Sequence, residues 1–160
     1  MKSGRVFVGL GANLGEPQAT LKHALAALAA LPQTELVAQS SLYRTAPFQA
    51  SGPDFINAVA ELRTALQPKA LLRALQAIES QHGRERPYLN APRTLDLDLL
   101  LFGQRVVQEP GLELPHPRLH ERAFVLQPLL ELAPKLVHPH LGRLQMLLAA
   151  TLDQPIERLP

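Results

Sequence analysis

Two aspartates stand out in the sequence because they interrupt a run of leucines. Residues 93–102 read RTLDLDLLLF, with Asp96 and Asp98 two positions apart. In an extended strand alternate side chains share a face, and residues two apart are separated by about 6.6 Å. Two carboxylates on one face repel each other, and a hard divalent cation such as Mg²⁺ neutralises such a pair through oxygen ligands. The spacing therefore predicts a magnesium site, with a strand that has one solvated face as the alternative.

Three arginines lie just before this pair, at Arg84, Arg86 and Arg93. The stretch 84–92, RERPYLNAP, contains two prolines and has no hydrophobic period, so it is predicted to be a basic loop. A guanidinium group forms two parallel hydrogen bonds to the oxygens of a phosphate, and beside Mg²⁺ such groups can hold a polyphosphate. Salt bridges between these arginines and the aspartates are the alternative interpretation.

The histidines carry a weaker signal. His116 lies between two prolines in LPHPRLHER, six residues before Arg122, and a ring held in this way can face a phosphate. A loop histidine more often has no chemical role, and His138 and His140 in HPH are predicted to be surface turn residues. Neither HxxxH nor HExxH spacing occurs, so a zinc site is not expected.

Aromatic residues are scarce, with five Phe, two Tyr and no Trp. Phe48, Phe55 and Phe124 lie beside loops and polar residues. A flat heterocycle would fit between two such rings, with Asn57 offering one carbonyl acceptor and two amide donors to its edge. Ordinary packing of the same rings is the alternative.

The hydrophobic pattern predicts the element order β-α-β-β-α-β, followed by further helices. This is the split βαβ, ferredoxin-like arrangement of an α+β chain, in which helices cover one face of a mainly antiparallel sheet. The C-terminal helices are expected on the other face, which gives an α/β/α sandwich. The glycine-rich GLGANLG lacks the spacing of a phosphate-binding loop and is predicted to be a turn between strand and helix. The predicted strands are 5–11, 35–43, 55–66, 95–102 and 105–107, and the predicted helices begin at Pro17 and Pro68 and cover 123–132 and 141–152.

Composition limits the class of protein. A chain of 160 residues that is 46% hydrophobic and 19% charged is expected to form one globular domain over 1–160. A net charge of +2 excludes a general polyanion binder, and the absence of cysteine excludes disulfides and thiolate metal sites. Since no stretch has the apolar length of a membrane span, a cytoplasmic protein is expected.

Six segments together resemble the motifs of the 6-hydroxymethyl-7,8-dihydropterin pyrophosphokinases. In chain order they are GLGANLG, SLYRTAP, DFINAVAEL, IESQHGRER, APRTLDLDLLLFG and LPHPRLHERAFVLQPLLELAP, which span nearly the whole chain. The resemblance implies a transferase of folate biosynthesis that moves a pyrophosphoryl group from ATP to a pterin alcohol and releases AMP. It implies two Mg²⁺ ions, small-molecule substrates, and no nucleic-acid, membrane or obligate protein partner.

The resemblance also assigns roles to residues. It implies that Asp96 and Asp98 bind the metal and act in catalysis with Arg84 and Arg93. The ATP-binding set that it implies is Glu79, Arg84, Arg86, Arg93, Leu99, His116 and Arg122, and the pterin-binding set is Thr45, Ala46, Pro47, Phe48, Phe55, Asn57 and Phe124.

The segment before the aspartates departs from the pattern of the family, and the residues alone leave two other functions open. Many relatives read RWGPR before the aspartates, where residues 89–93 here read LNAPR, so closure of this loop is expected to be weaker or to use Tyr88. The residues alone are also compatible with another metal-dependent phosphate enzyme or nuclease that uses DLD. An RNA-binding split βαβ module is the second alternative, but it would need exposed aromatic residues on the sheet and a broad basic face.

Overall fold

An antiparallel sheet of six strands forms the centre of the described chain. The computed structural model describes residues 4–47, 52–83 and 95–160. The strands are β1 (Val6–Ala12), β2 (Thr34–Gln39), β3 (Tyr43–Thr45), β4 (Phe55–Thr64), β5 (Asp96–Phe102), β6 (Val107–Glu109), β7 (Leu112–Leu114), β8 (Val137–His138), β9 (Gly142–Arg143) and β10 (Ile156–Arg158). The α-helices are α1 (Pro17–Ala29), α2 (Pro68–Gly83) and α3 (Ala123–Leu132), and 3-10 helices cover Leu119–Glu121 and Leu144–Thr151.

The strand order is β10-β3-β4-β1-β5, and β2 pairs with the half of β4 that β3 leaves free. Strand β1 lies between β4 and β5, so both of its edges are paired and both of its faces are covered. This position explains its hydrophobic sequence, VFVGLGA, in which six of seven residues are buried. The hairpins β6–β7 and β8–β9 form separate two-stranded sheets.

Helices α1 and α2 cover one face of the sheet. Both present leucines at helical spacing to the alternate strand residues that point towards them. Burial of one such side chain stabilises the fold by about 1.5–3 kcal/mol relative to exposure. The helix residues of this core are Leu21, Ala24, Leu25, Leu28, Leu71, Leu75 and Ile78.

The opposite face carries α3 and the 3-10 helices. Val125, Leu126 and Leu129 of α3 pack with Phe7 and Val59 of the sheet. Farther along the same face the strands present polar residues and glycine instead of large apolar side chains. The candidate site lies on this second part of the face.

The α+β fold with helices on both faces confirms the predicted class, and α1, α2 and α3 lie where the pattern indicated. The predicted strand 35–43 is wrong in its continuity, because it is two strands, β2 and β3. Ser40 interrupts the pairing: its N–H donates to the Val59 carbonyl, and its side-chain oxygen accepts the Val59 N–H, both at 2.9 Å. A side chain thus replaces one rung of the backbone ladder.

Three further predictions differ from the structure. Strand β1 continues through Gly9 and Gly11 to Ala12, so the glycine-rich segment is largely strand and the turn to α1 follows it. The predicted strand 105–107 begins only at Val107 and belongs to the β6–β7 hairpin. The predicted helix 141–152 is a β-hairpin strand followed by a 3-10 helix, with Gly142 at φ +79°, a value that ordinary residues rarely adopt. None of the described helices is long and apolar enough to cross a membrane.

Candidate active site

Asp96 and Asp98 lie on the same face of β5 and are both partly exposed. Leu97 and Leu99 alternate with them and are buried under α1 and α2. On the neighbouring strand, Gly11 is opposite Asp96, and Gly9 is opposite Asp98. Because glycine has no side chain, the sheet surface beside both carboxylates is low and leaves room for a ligand.

Asn57 continues this row on the other side of β1. Its partner across the sheet is Gly11, and its side chain lies on the same face as the two aspartates. Two strand spacings separate the backbones of Asn57 and Asp96, which is about 9.5 Å. A Cβ atom on Gly11 would lie 3.0 Å from the Asn57 Nδ2 atom, so the amide side chain extends over the glycine. The sheet therefore presents an amide and a carboxylate pair across a floor of glycine.

A buried hydrogen bond orients the Asn57 amide. The Thr45 hydroxyl donates to Asn57 Oδ1 at 2.8 Å, and both residues are buried. The Nδ2 amide has no hydrogen-bond acceptor among the described residues. The carbonyl oxygen is thus held from one side, while both amide protons stay available to a ligand.

Glu79 connects α2 to the strand of the aspartates. Its carboxylate accepts the backbone N–H of Leu97, at 2.8 Å, between the two aspartates. Strand β5 is at the edge of the sheet, where outward N–H groups need partners outside the ladder. Glu79 therefore holds the edge of β5 at the point from which both carboxylates project.

His116 is hydrogen-bonded to the same strand, β5. Its backbone N–H donates to the Leu100 carbonyl at 2.9 Å, and its ring Nδ1 accepts the Arg118 N–H at 3.1 Å. In the neutral ring the proton is therefore on Nε2. Burial lowers the pKa of His116. The negative charges of Asp98 and of a nearby glutamate act in the opposite direction, and nearby arginines, including Arg122, lower this pKa further. The structure thus brings His116 close to one of the two aspartates, as a neutral hydrogen-bond donor.

Arg122 and Phe124 lie at the start of α3. The Arg122 guanidinium carbon is 5.5 Å from the centre of the Phe124 ring, which is within the range of a cation–π contact. Both side chains are partly exposed. Since Arg122 also interacts with His116, the N-terminus of α3 adjoins the aspartate end of the site.

A model of the family described as 7,8-dihydro-6-hydroxymethylpterin-pyrophosphokinase (HPPK) matches residues 7–134. The chain belongs to this family. A Pseudomonas aeruginosa protein named 2-amino-4-hydroxy-6-hydroxymethyldihydropteridine pyrophosphokinase is 51% identical over 157 residues, which are 98% of this chain and 97% of that protein. A Haemophilus influenzae protein of the same name is 44% identical over 135 residues, which are 84% of each chain.

Solved structures with this fold include HPPK-DHPS chains. One, in complex with substrates, has a TM-score of 0.75 at 12% identity and matches 96% of this chain but 44% of its own. A Plasmodium falciparum HPPK-DHPS triple mutant has a TM-score of 0.75 at 13% identity, over 95% of this chain and 45% of that one. The chain thus spans less than half the length of these solved chains, and the likeness concerns the fold.

HPPK membership confirms the resemblance seen in the sequence and the assignment as a pyrophosphokinase. It also decides between this enzyme class and the two alternatives, a nuclease-like metal enzyme and an RNA-binding module. The roles of individual residues remain predictions. Of the predicted residues, Phe48, Arg84, Arg86, Tyr88 and Arg93 lie outside the described residues.

The remaining HPPK site predictions fall at different places. Phe55 and Thr45 are paired across β4 and β3, Phe55 is partly exposed, and Ala46 and Pro47 follow at the end of β3. The Leu99 side chain is 5% exposed and points into the core beneath α1 and α2, away from the aspartates. Any contact between Leu99 and a nucleotide would therefore involve its backbone and not its side chain.

Sequence reasoning missed Gly9 and Gly11, which form the floor of the candidate site. Their alternation with Val8 and Leu10 has the period of a strand and was the available signal. It also placed His138 on the surface, which is wrong, because His138 is 6% exposed and its Nδ1 accepts the N–H groups of His140 and Leu141. No local sequence pattern indicates the burial of His138, because this burial depends on packing within the C-terminal segment.

Proposed function

We propose that this chain transfers the pyrophosphoryl group of ATP to 6-hydroxymethyl-7,8-dihydropterin and releases AMP, as a step of folate biosynthesis in the cytoplasm. The observation that carries the proposal is the row formed by Asn57, Gly11 and Asp96 in a chain of the HPPK family. An amide suited to a pterin edge and carboxylates suited to a phosphate-bound cation share one face of the sheet. The proposal assigns this activity to a single domain over 1–160.

The donor set fits Mg²⁺. Asp96 and Asp98 offer carboxylate oxygens from one partly exposed face, and Mg²⁺ commonly takes one or two carboxylates, water and substrate phosphates. Within the described ranges no group of three or more histidine, aspartate or glutamate side chains could hold a metal by itself. When bound, the cation supplies charge neutralisation on the polyphosphate. The resemblance implies two ions.

The chain's own residues supply position and charge. Asn57, oriented by Thr45, binds the edge of the pterin, and Phe124 and Phe55 supply ring surfaces. The neutral His116 ring offers its Nε2 proton beside Asp98, and Arg122 adds positive charge on the same side. Arg84 and Arg93 are proposed to balance charge on the β- and γ-phosphates. Transfer to phosphorus depends mainly on such positioning and electrostatic stabilisation.

The proposed reaction balances as a displacement at phosphorus. The hydroxymethyl oxygen of the pterin forms a bond to the β-phosphorus of ATP. The bond between that phosphorus and the oxygen that bridges it to the α-phosphorus breaks, and its electron pair leaves with AMP. The hydroxyl proton is released, so the products are AMP, the pterin diphosphate and a proton.

Product analysis with aspartate variants tests the proposal. Wild-type protein with ATP, Mg²⁺ and the pterin alcohol is expected to form AMP and pterin diphosphate in equal amounts, measured by chromatography. Asp96→Asn and Asp98→Asn should each lower the rate by at least about 10²-fold, because each removes a carboxylate ligand of the Mg²⁺ that neutralises the polyphosphate. The control is Glu35→Gln, an exposed carboxylate of β2 paired with Arg63 at 3.4 Å.

Two results would reject this assignment. The first is release of pyrophosphate or of cleaved nucleic acid in place of AMP and pterin diphosphate. The second is near-normal AMP formation by both aspartate variants.

A further inference from the structure

Glu131, in the last turn of α3, accepts hydrogen bonds from β3, from β10 and from the segment that precedes β3. Its carboxylate accepts the Tyr43 hydroxyl at 2.7 Å, the Ser41 N–H at 3.0 Å and the Ser41 hydroxyl at 3.1 Å. Arg158 of β10 approaches it at 3.4 Å and also donates to the Ser41 hydroxyl at 2.9 Å. One carboxylate thus connects α3 to β3 and β10.

The sheet leaves a place for this carboxylate. Ser41 lies in the interruption between β2 and β3, where neighbouring Ser40 has bonded to β4 through its side chain. The Ser41 N–H donates to Glu131 rather than to a strand. A backbone N–H that is partly withdrawn from water is destabilising without an acceptor, and the Glu131 carboxylate is the acceptor for the Ser41 N–H.

Both ends of this connection lead to the proposed pterin subsite. On β3, Tyr43 is opposite Asn57, and Thr45 bonds to the Asn57 amide. On α3, Phe124 and Glu131 are seven residues apart, so they lie on one side of the helix about 10.5 Å apart along its axis. The helix that carries the proposed aromatic wall is therefore anchored to the strand that orients the proposed amide.

We propose that Glu131 is a positioning residue for pterin binding, which holds Phe124 of α3 in a fixed relation to Asn57 through its bonds to Ser41 and Tyr43. The inference rests on the proposed function, because it gives the two walls of the subsite a common anchor. Glu131 itself does not touch the substrates. Its loss should shift α3 against β3 and widen or skew the slot between ring and amide.

The protonation states support a permanent anchor. Burial by itself raises the pKa of Glu131, but the hydrogen bonds of Tyr43 and Ser41 and the charge of Arg158 outweigh it, so the pKa lies below its usual value. Burial, together with the hydrogen bond to Glu131, raises the pKa of Tyr43 to about 12. The carboxylate is therefore charged and the phenol protonated at neutral pH, as the hydrogen bond requires.

The test is the steady-state KM for each substrate in Glu131→Gln and Tyr43→Phe. Glu131→Gln should raise the KM for the pterin alcohol about tenfold, and Tyr43→Phe about threefold to fivefold, while the KM for ATP stays within about twofold. The double variant should resemble Glu131→Gln alone, because the two changes remove one shared interaction. Tyr43→Phe keeps the test informative if Glu131→Gln folds poorly.

Two controls separate positioning from general stability. Glu61→Gln changes a buried carboxylate, which accepts two hydrogen bonds from Arg5, at 2.8 and 2.9 Å, at the other end of β4. Arg44→Ala removes an ion pair that joins β3 to β10 on the opposite face of the sheet, at 2.9 Å to Glu157. Both should lower the unfolding temperature or leave it unchanged, and both should keep the pterin KM within about twofold.

Three results would overturn the inference. They are an unchanged pterin KM in both Glu131→Gln and Tyr43→Phe, equal increases in KM for pterin and ATP, and an equal pterin effect in Glu61→Gln. The proposed function fails separately if wild-type protein forms no AMP from ATP and the pterin, and that result would reject the positioning role as well. Turnover by the wild type with normal pterin KM in the variants would reject only the role of Glu131.

Discussion

The hydrogen bond between Thr45 and Asn57 offers a direct test of how the proposed pterin subsite is built. The two atoms, Thr45 Oγ1 and Asn57 Oδ1, are 2.8 Å apart, and the residues are 8% and 5% exposed. Thr45→Val keeps the branched shape and removes the donor. The amide of Asn57 then loses the contact that decides which of its ends faces the ligand.

The structure sets the size of the expected effects. A hydrogen bond contributes about 0.5–1.5 kcal/mol net, and a buried carbonyl left without a donor costs about 1–3 kcal/mol. We therefore expect Thr45→Val to lower the free energy of unfolding by about 1–3 kcal/mol, which corresponds to roughly 2–12 °C in Tm for a chain of this size. An amide that must be reoriented on binding should weaken pterin affinity about tenfold, or about 1.4 kcal/mol.

Titration calorimetry measures the binding effect. The pterin is titrated into protein saturated with Mg²⁺ and a non-hydrolysable ATP analogue, and the analogue is titrated alone in a second series. Thr151→Val is the matched control, because Thr151 is 2% exposed and its hydroxyl donates to the Leu148 carbonyl at 2.9 Å in the C-terminal 3-10 helix. The control should lose stability and keep its affinity for the pterin.

The reasoning is refuted if Thr45→Val is destabilised by the expected amount but binds the pterin as tightly as wild type. That outcome would mean that Asn57 is held by its packing and needs no hydrogen bond for orientation. An equal loss of affinity for the ATP analogue would also count against a role confined to the pterin end of the site.

Two other changes probe the same face of the sheet. In Gly11→Ala the new Cβ would lie 3.0 Å from Asn57 Nδ2, so the amide must move by a few tenths of an ångström. A displaced amide forms a poorer hydrogen bond to the pterin edge, and a loss of about 1.4 kcal/mol lowers the pterin affinity measured by calorimetry about tenfold. Gly9→Ala is its control, because its Cβ would meet only the Leu100 side chain at an ordinary 3.5 Å; an equal loss of pterin affinity there would contradict the argument. The second change is an increase in pH. The pKa of Tyr43 is raised to about 12 in the folded state, so the protonated phenol contributes roughly 2–3 kcal/mol to the free energy of unfolding below pH 10. This contribution is lost as the pH rises from about 10 to 12. Denaturant unfolding of wild type and Tyr43→Phe at pH 8 to 11.5 should show their stability difference shrinking with pH, and a constant difference would show that the raised pKa is wrong.

The sequence alone was sufficient for features that depend on neighbours along the chain. Leucines at helical spacing located α1 and α2, and the alternation in DLDLLLF placed Asp96 and Asp98 on one face. These patterns are reliable because side-chain direction in a helix or strand follows directly from local backbone geometry. The family motifs, which are also local, identified the enzyme class.

The tertiary structure decided which distant residues meet. Asn57 faces Asp96 across Gly11, Glu79 accepts the N–H of Leu97, and the pairing of β4 changes from β2 to β3 where a serine side chain replaces a backbone rung. Such contacts depend on strand register and helix docking, which are set by the packing of the whole core and leave no period in the sequence. The sequence therefore shows the candidate reactive groups locally, whereas the amide, the glycine floor and the carboxylates form one candidate site only when the sheet is assembled.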